Sequence, residues 1–352
     1  MSKELKTTWR SPSNIALVKY WGKKKGVQIP ANPSISFTLE QCYSETTVTL
    51  TPKPRKSKEI LLQFYFDGKA NMAFQLKLLR FFETIRRDFS LLHTHSLLIH
   101  STNSFPHSSG IASSASAMSA LALCLCDLQQ QIDGKPMKEA AFFKKASHYA
   151  RLGSGSAARS VYPLAAVWGK TTALRGSSDL VAIPVGDLLH KDFRTYQNTI
   201  LIASSAEKKV SSRLGHSLMK TNPYAKTRYA QAQSNLKTLL TALRRGDTET
   251  FGTIVEQEAM TLHALMMCSH PSFILMAPST LQMIEKIRSF RNDTGLPVYF
   301  TLDAGPNIHL LYPKSISKKV DAFIYAELEQ HCEQGKMIHD HVGQGPRRVV
   351  NN

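Results

Sequence analysis

The chain has 352 residues, 42% of them hydrophobic, enough for two domains or one large one with an ample core, and this excludes a disordered or coiled-coil protein. Lysine and arginine number 44 against 26 acidic residues, a formal net charge of +18, so polyanionic substrates or a polyanionic partner are expected. The five cysteines, Cys42, Cys124, Cys126, Cys268 and Cys332, are scattered and form no CxxC pair; they exclude a disulfide framework and read as reduced, buried thiols of a cytoplasmic protein.

The first ten residues lack an apolar targeting segment, and no uncharged apolar stretch approaches bilayer length, so a soluble, untargeted protein is expected. Residues 15–20, 34–39, 44–50 and 60–66 are rich in β-branched and aromatic residues and predict strands. Between the last two lies the densest basic run, Lys53-Pro-Arg-Lys-Ser-Lys58, which reads as a solvated hairpin loop. Residues 73–89 repeat apolar side chains at helical spacing, and residues 96–100 return to strand. A Ser-rich loop then enters a helix of Ala, Leu and Cys through residues 118–128, and residues 136–152 predict a second helix with Pro136 in its first turn.

Strands are expected over 161–174, 180–185 and 198–203, helices over 224–245, 248–267 and 280–292. Strands at 298–302 and 308–312 flank a turn at 303–307, and a helix over 318–332 follows. The tail bearing Arg347-Arg348 reads as a solubilising end, not a nucleic-acid arm, and no nucleic-acid-binding signature is present. This is α+β organisation without an internal repeat, divided near residue 190.

Residues 106–117, Pro-His-Ser-Ser-Gly-Ile-Ala-Ser-Ser-Ala-Ser-Ala, read as a phosphate cradle or else as a flexible Ser-rich linker; as a cradle, small side chains admit an anion to backbone N–H groups, and a helix N-terminus carries partial positive charge. The hydroxyls of Ser108, Ser109, Ser113, Ser114 and Ser116 add donors. In Asn14-Ile-Ala-Leu-Val-Lys19-Tyr20-Trp21-Gly22-Lys23, Lys19 interrupts an apolar run and is either an edge residue or a charge paired with a ligand or carboxylate. Asn32-Pro-Ser34-Ile-Ser36 puts two hydroxyls on one face of a strand. Ser154-Gly-Ser156-Ala-Ala-Arg159-Ser160 sets hydroxyls beside an Arg, whose planar fork matches a phosphate or carboxylate. The turn Asp303-Ala-Gly-Pro-Asn307 bears one carboxylate, a turn cap or a catalytic group.

In combination the segments at 14–23, 105–115, 153–160 and 303–307 resemble those of the mevalonate diphosphate decarboxylases, members of the GHMP small-molecule kinase superfamily, over nearly the full length. The resemblance implies a two-domain GHMP kinase fold: a ribosomal protein S5 domain 2-like N-terminal domain over 1–190 and a ferredoxin-like GHMP domain over 191–352. It implies that ATP, carrying Mg²⁺ without a dedicated protein metal site, lies against Ser108, Ser109, Gly110, Ile111, Ala112, Ser113 and Ser114. Asp303 would be the essential carboxylate near the substrate's 3-hydroxyl, with Lys19 beside it; Arg159, positioned by Asn14, would hold the substrate carboxylate. Tyr20, Trp21, Gly22, Lys23, Ser154, Gly155, Ser156, Ala157 and Ala158 match the substrate-binding motifs, and Lys77 is a candidate for a further diphosphate contact.

The implied reaction converts mevalonate 5-diphosphate to isopentenyl diphosphate in the mevalonate route to isoprenoids, by a carboxy-lyase acting as a homodimer. The alternatives are a mevalonate 5-phosphate decarboxylase and, from another class, a nucleic-acid-binding protein on a GHMP scaffold. Ile111 stands where Leu is common, Ser116 where Ala is usual, and Ile308-His309 where small residues are typical.

Overall fold

The computed structural model describes residues 4–55, 59–106, 111–206 and 211–350, without the side chains of residues 212 and 213. Two sheets organise it. The first runs β12-β1-β2-β5-β3-β4, with β6 also on β2 and β7 on β6. Its spine is β1 (Leu5–Val18) paired antiparallel with β2 (Ser34–Pro52). β5 (His95–Asn103) pairs with one half of β2, and β6 (Ala165–Trp168) with the other. β3 (Leu62–Phe66) lies parallel to β5, and β4 (Lys69–Ala70) leads into α1 (Met72–Ile85).

α2 (Leu91–Thr94) precedes β5, and α3 (Ser113–Asp133) packs against β1 and β2. Being buried along most of its length, α3 is apolar with small hydroxyls interspersed, and these bond across to the sheet: Ser11 to Ser119 at 2.6 Å and Ser44 to Ser116 at 2.7 Å. α4 (Glu139–Gly153) covers α3.

After β7 (Ala182–Pro184) the second sheet is built in the order β11-β8-β10-β9, from β8 (Gln197–Leu201), β9 (Tyr299–Leu302), β10 (Ile308–Tyr312) and β11 (Met337–His341). α5 (Ser212–Leu218) precedes the helical pair α6 (Ala225–Arg245) and α7 (Thr248–Met267). Their tight junction is legible in Arg-Gly-Asp-Thr: Gly246 takes the left-handed conformation at φ +77°, and Asp247 caps α7 by accepting from the Thr250 N–H at 3.0 Å. α8 (Pro278–Thr294) packs on β9, and α9 (Ser317–Phe323) continues as a π turn and short 3-10 turns.

The sheets share a core. Phe37 of β2 stacks on Phe251 of α7 at 5.9 Å, in an aromatic group with Phe193 and Tyr196. Asp340 of β11, buried, accepts the N–H groups of Glu40, Gln41 and Cys42 at 2.8–2.9 Å and so ties the middle of β2 to the second sheet.

Several expectations are corrected. Residues 34–39 and 44–50 are one strand, since Asp340 supplies partners where the ladder with β1 shifts register. The basic run does not close a hairpin, because β2 and β3 both flank β5; residues 56–58 of that run lie outside the described residues. The strand expected over 161–174 is only Ala165–Trp168. The helix expected over 73–89 ends at Ile85, and only Ser317–Phe323 of 318–332 is α-helical. Arg347-Arg348 is not a loose end: β12 (Arg347–Val349) pairs with β1, and Arg348 meets Asp127 at 3.1 Å. Cys268 is exposed, whereas the other four thiols are buried.

Candidate active site

Lys19 lies one residue beyond β1, where the main chain leaves the ladder and needs other partners. Buried groups supply them. Glu258 of α7 accepts the Lys19 N–H at 2.9 Å, while Asn32 and Arg228 donate to the Lys19 carbonyl at 2.9 and 3.2 Å. Glu258, fully buried, is itself held by Arg228 on both oxygens and by Asn235 at 2.6 Å. The Lys19 side chain, 2% exposed, points its ammonium at the Ala16 carbonyl (2.7 Å) and at Asp303 Oδ1 (3.1 Å). Burial lowers its pKa, and the Asp303 carboxylate opposes that shift. The lysine is therefore an interior charge paired with a carboxylate, not an edge residue.

Asp303 opens the turn between β9 and β10, and its side chain is 28% exposed, so one partner of the pair reaches solvent. Arg159 follows the 3-10 turn Gly155–Ala158 and is buried. Its Nε donates to Ser36 Oγ at 2.9 Å, one terminal nitrogen to Ser34 Oγ, and the other to Asn14 Oδ1 at 3.3 Å. The alternate serines of β2 thus serve one guanidinium, as their spacing implies. A guanidinium has five N–H donors, so beyond these three bonds each terminal nitrogen keeps one N–H with no hydrogen-bond partner among the described residues. Burial lowers the Arg159 pKa to about 10, while the fields of Asp303 and Tyr20 act the other way. Asn14 also donates to Ser160 Oγ at 2.7 Å and to the Ser156 carbonyl at 3.2 Å, joining β1 to the turn that carries Arg159.

Tyr20 packs edge-on against Trp168 at 4.7 Å and beside His216 at 4.3 Å; its hydroxyl is buried with no partner among the described residues. Burial pushes that hydroxyl's pKa well up. Gly155 is required here, since a Cβ would come within 2.8 Å of both the Trp168 and Tyr20 rings. Trp21 is buried in an apolar cluster with Leu262, Met266 and Ala304, and the Gly22 N–H donates to His216 Nδ1 at 3.0 Å, so both build the turn that presents half-buried Lys23. Burial and the nearby Lys23 lower His216 to about 3, which keeps the ring neutral and able to accept. Ala157 and Ala158 are fully buried, whereas Ser154 and Ser156 are half-buried.

Of the cradle, Ser108, Ser109 and Gly110 lie outside the described residues. Ile111 is buried, Ala112 and Ser113 half-buried, and Ser114 exposed. The N-terminus of α3 has no side-chain cap among the described residues, and the Ala115 N–H donates to the Ala112 carbonyl at 2.7 Å. Ser114 Oγ lies 3.3 Å from Ser154 Oγ and links the cradle to the Ser-Gly-Ser turn. Ser116 is corrected: it is fully buried and bonded to Ser44 and to the Ser113 carbonyl, so it is no ligand donor. Beside Ser113 and Ser114 opens a mainly apolar pocket between Phe64, Phe74, Leu78, Ile99 and Leu121. Lys77 is exposed on α1 with its ammonium 5.4 Å from the centre of the Phe74 ring, at this pocket.

Sequence reasoning missed Glu258, Arg228, Asn235 and His263, all on α6 or α7, as well as His216 and the apolar pocket. A glutamate or arginine in a helical pattern reads as a solvated face; the one available signal was that each interrupts an otherwise apolar stripe.

These features define a two-domain α+β protein of the GHMP kinase type, with a buried Lys–Asp pair and a buried Arg where the two sheets meet. Residues 11–181 match the model of the diphosphomevalonate decarboxylase-like N-terminal domain, and residues 198–344 that of the mevalonate 5-diphosphate decarboxylase C-terminal domain. The chain belongs to the diphosphomevalonate decarboxylase family. The diphosphomevalonate decarboxylase of Eremothecium gossypii is 30% identical over 332 residues, covering 90% of this chain and 80% of that protein. The mevalonate diphosphate decarboxylase structure from Staphylococcus aureus has a TM-score of 0.84 at 28% identity, covering 99% of each chain. The structure of MDDEF in complex with MVAPP, AMPPCP and magnesium has a TM-score of 0.81 at 28% identity, covering 99% of this chain and 100% of that one. Family membership across both halves sets aside the nucleic-acid reading of the positive charge.

Proposed function

We propose that the chain catalyses the ATP-dependent decarboxylation of mevalonate 5-diphosphate to isopentenyl diphosphate, releasing ADP, phosphate and CO₂. The observation that carries this reading is the buried Lys19 ammonium 3.1 Å from Asp303 Oδ1, within the electrostatic reach of a buried Arg159. Hydroxide leaves a tertiary carbon reluctantly, whereas phosphate leaves readily. The 3-hydroxyl oxygen therefore takes the γ-phosphoryl group of ATP, as the bond to the β-phosphate oxygen breaks and ADP departs. The C3–O bond then breaks and phosphate leaves; the C1–C2 electron pair becomes the C2=C3 double bond, and CO₂ is lost.

Asp303 orients the 3-hydroxyl or accepts its proton, and stabilises the positive charge that develops at C3. Lys19 steadies the transferring phosphoryl group and holds Asp303 in place. Arg159 grips the substrate carboxylate through its two remaining donors, with Asn14, Ser34 and Ser36 fixing the plane of its fork. Tyr20, Lys23, Ser154 and Ser156 bind the diphosphate end.

The triphosphate of ATP rests on the cradle, and the adenine enters the apolar pocket beside Phe74. Donors at the cradle are neutral hydroxyls and amides, which suits phosphate oxygens; Mg²⁺ would be held by the nucleotide and not by a protein metal site, and would supply neutralising charge. The division of the chain near residue 190, action in the cytoplasm and assembly as a homodimer belong to the same proposal. Among the described residues no helix is long and apolar enough to cross a membrane.

The test supplies purified protein with ATP, Mg²⁺ and either mevalonate 5-diphosphate or mevalonate 5-phosphate at equal concentration. Faster CO₂ release from the diphosphate is expected. Preference for the monophosphate, or ADP formation without CO₂, would reject the assignment.

A further inference from the structure

The Lys19–Asp303 pair bridges two separately built layers: Lys19 follows β1 of the first sheet, and Asp303 opens the β9–β10 turn of the second. A charge aimed at a reacting carbon loses much of its effect when displaced by an ångström, so the two backbones need a common reference. One helix touches both. On α7, Glu258 accepts the Lys19 main-chain N–H at 2.9 Å, and His263 Nε2 lies 3.2 Å from the main-chain carbonyl oxygen of Asp303.

The protonation of His263 follows from its partner. A carbonyl oxygen only accepts, so Nε2 carries the hydrogen and Nδ1 is bare; Nδ1 is buried and has no partner among the described residues. The ring is 1% exposed, and burial together with the nearby Lys19 lowers its pKa to about 4. His263 is therefore a fixed neutral donor. Its bond goes to the backbone of the reactive aspartate, not to the carboxylate, and this leaves Asp303 Oδ1 to Lys19.

We propose that α7 sets the register of the ion pair, with Glu258 and His263 as positioning residues and His263 aiming the Asp303 carboxylate by holding its main-chain carbonyl. The inference rests on the decarboxylase reading of the site. Its consequence is specific to turnover: a misaimed Asp303 still leaves Arg159 and the cradle to bind both substrates.

The test compares His263→Gln with His263→Asn in steady-state assays with ATP, Mg²⁺ and mevalonate 5-diphosphate, alongside circular dichroism melting. Gln extends its amide nitrogen to about the position of Nε2, whereas Asn stops short of it. His263→Gln is expected to keep kcat within about 3-fold of the parent, and His263→Asn to lose roughly 10- to 100-fold in kcat with KM for both substrates within about 3-fold. The proposal is overturned if the two variants are equally active or equally impaired, if KM changes and kcat does not, or if lost activity matches a lost folded fraction in either variant. A parent protein inactive on mevalonate 5-diphosphate would instead reject the decarboxylase reading itself.

Discussion

Breaking the Lys19–Asp303 pair from its two ends has unequal consequences for stability. At 3.1 Å the gross attraction is about 5 kcal/mol at an effective dielectric constant of 20, most of it offset by desolvating the ammonium. The side chains are 2% and 28% exposed, so removing either partner leaves a very different remainder. Asp303→Asn strands a buried ammonium with the Ala16 carbonyl at 2.7 Å and the more distant charge of Glu258. That loss should come to about 2–3 kcal/mol at pH 7, at or below the usual range for a broken buried pair because those two groups remain. Lys19→Met removes the buried charge itself and leaves a carboxylate that water reaches, so it should cost less than about 1 kcal/mol.

The sign of the pH dependence follows from Lys19. Its folded-state pKa lies below 10.5, so between the two values the folded chain binds fewer protons than the unfolded chain, and stability rises with pH. Without Asp303 the folded value falls further, and the Asp303→Asn deficit should therefore shrink between pH 7 and pH 9.5. Urea denaturation of the parent and both variants at the two pH values reads this directly. A larger loss in Lys19→Met, or an Asp303→Asn deficit that does not change with pH, would refute the reasoning.

Arg159→Lys retains the charge and loses the fork that meets Ser34, Ser36 and Asn14, so kcat/KM for mevalonate 5-diphosphate should fall by about 10²-fold or more, with KM for ATP unchanged; near-parental kinetics would contradict this. Gly155→Ala drives a methyl group into the Tyr20 and Trp168 rings and should lower kcat/KM roughly 10-fold or more while the fold persists, as kinetics and a melting curve would report. Asp340→Ala takes the shared acceptor from three N–H groups of β2, of which that of Cys42 is buried, and should cost about 1–3 kcal/mol in denaturation, with KM for both substrates unaltered.

The site was more legible than the strands that carry it. Lys19, Arg159 and the serines of β2 announce themselves because a charge or a pair of hydroxyls in an apolar pattern needs a partner, and the structure supplies one for each. What escaped notice depends on partners distant in sequence. β2 reads as two strands because Glu40 and Gln41 interrupt its pattern, yet Asp340 of β11 meets the backbone of residues 40–42. β11 is hidden by the polar run His339-Asp340-His341, and β12 by its two arginines, since an edge strand needs no apolar alternation. Glu258 and His263 look like the solvated face of α7, and only the approach of β1 and of the Asp303 turn makes them interior.

The most direct measurement counts CO₂ released from C1-labelled mevalonate 5-diphosphate against ADP formed, in the parent protein and in Asp303→Asn. One CO₂ per ADP in the parent is expected. The variant should bind the nucleotide with parental affinity and turn over at least about 10³-fold more slowly, a loss of about 4 kcal/mol in transition-state stabilisation. CO₂ release by Asp303→Asn at a rate close to the parent's would contradict the account at its centre.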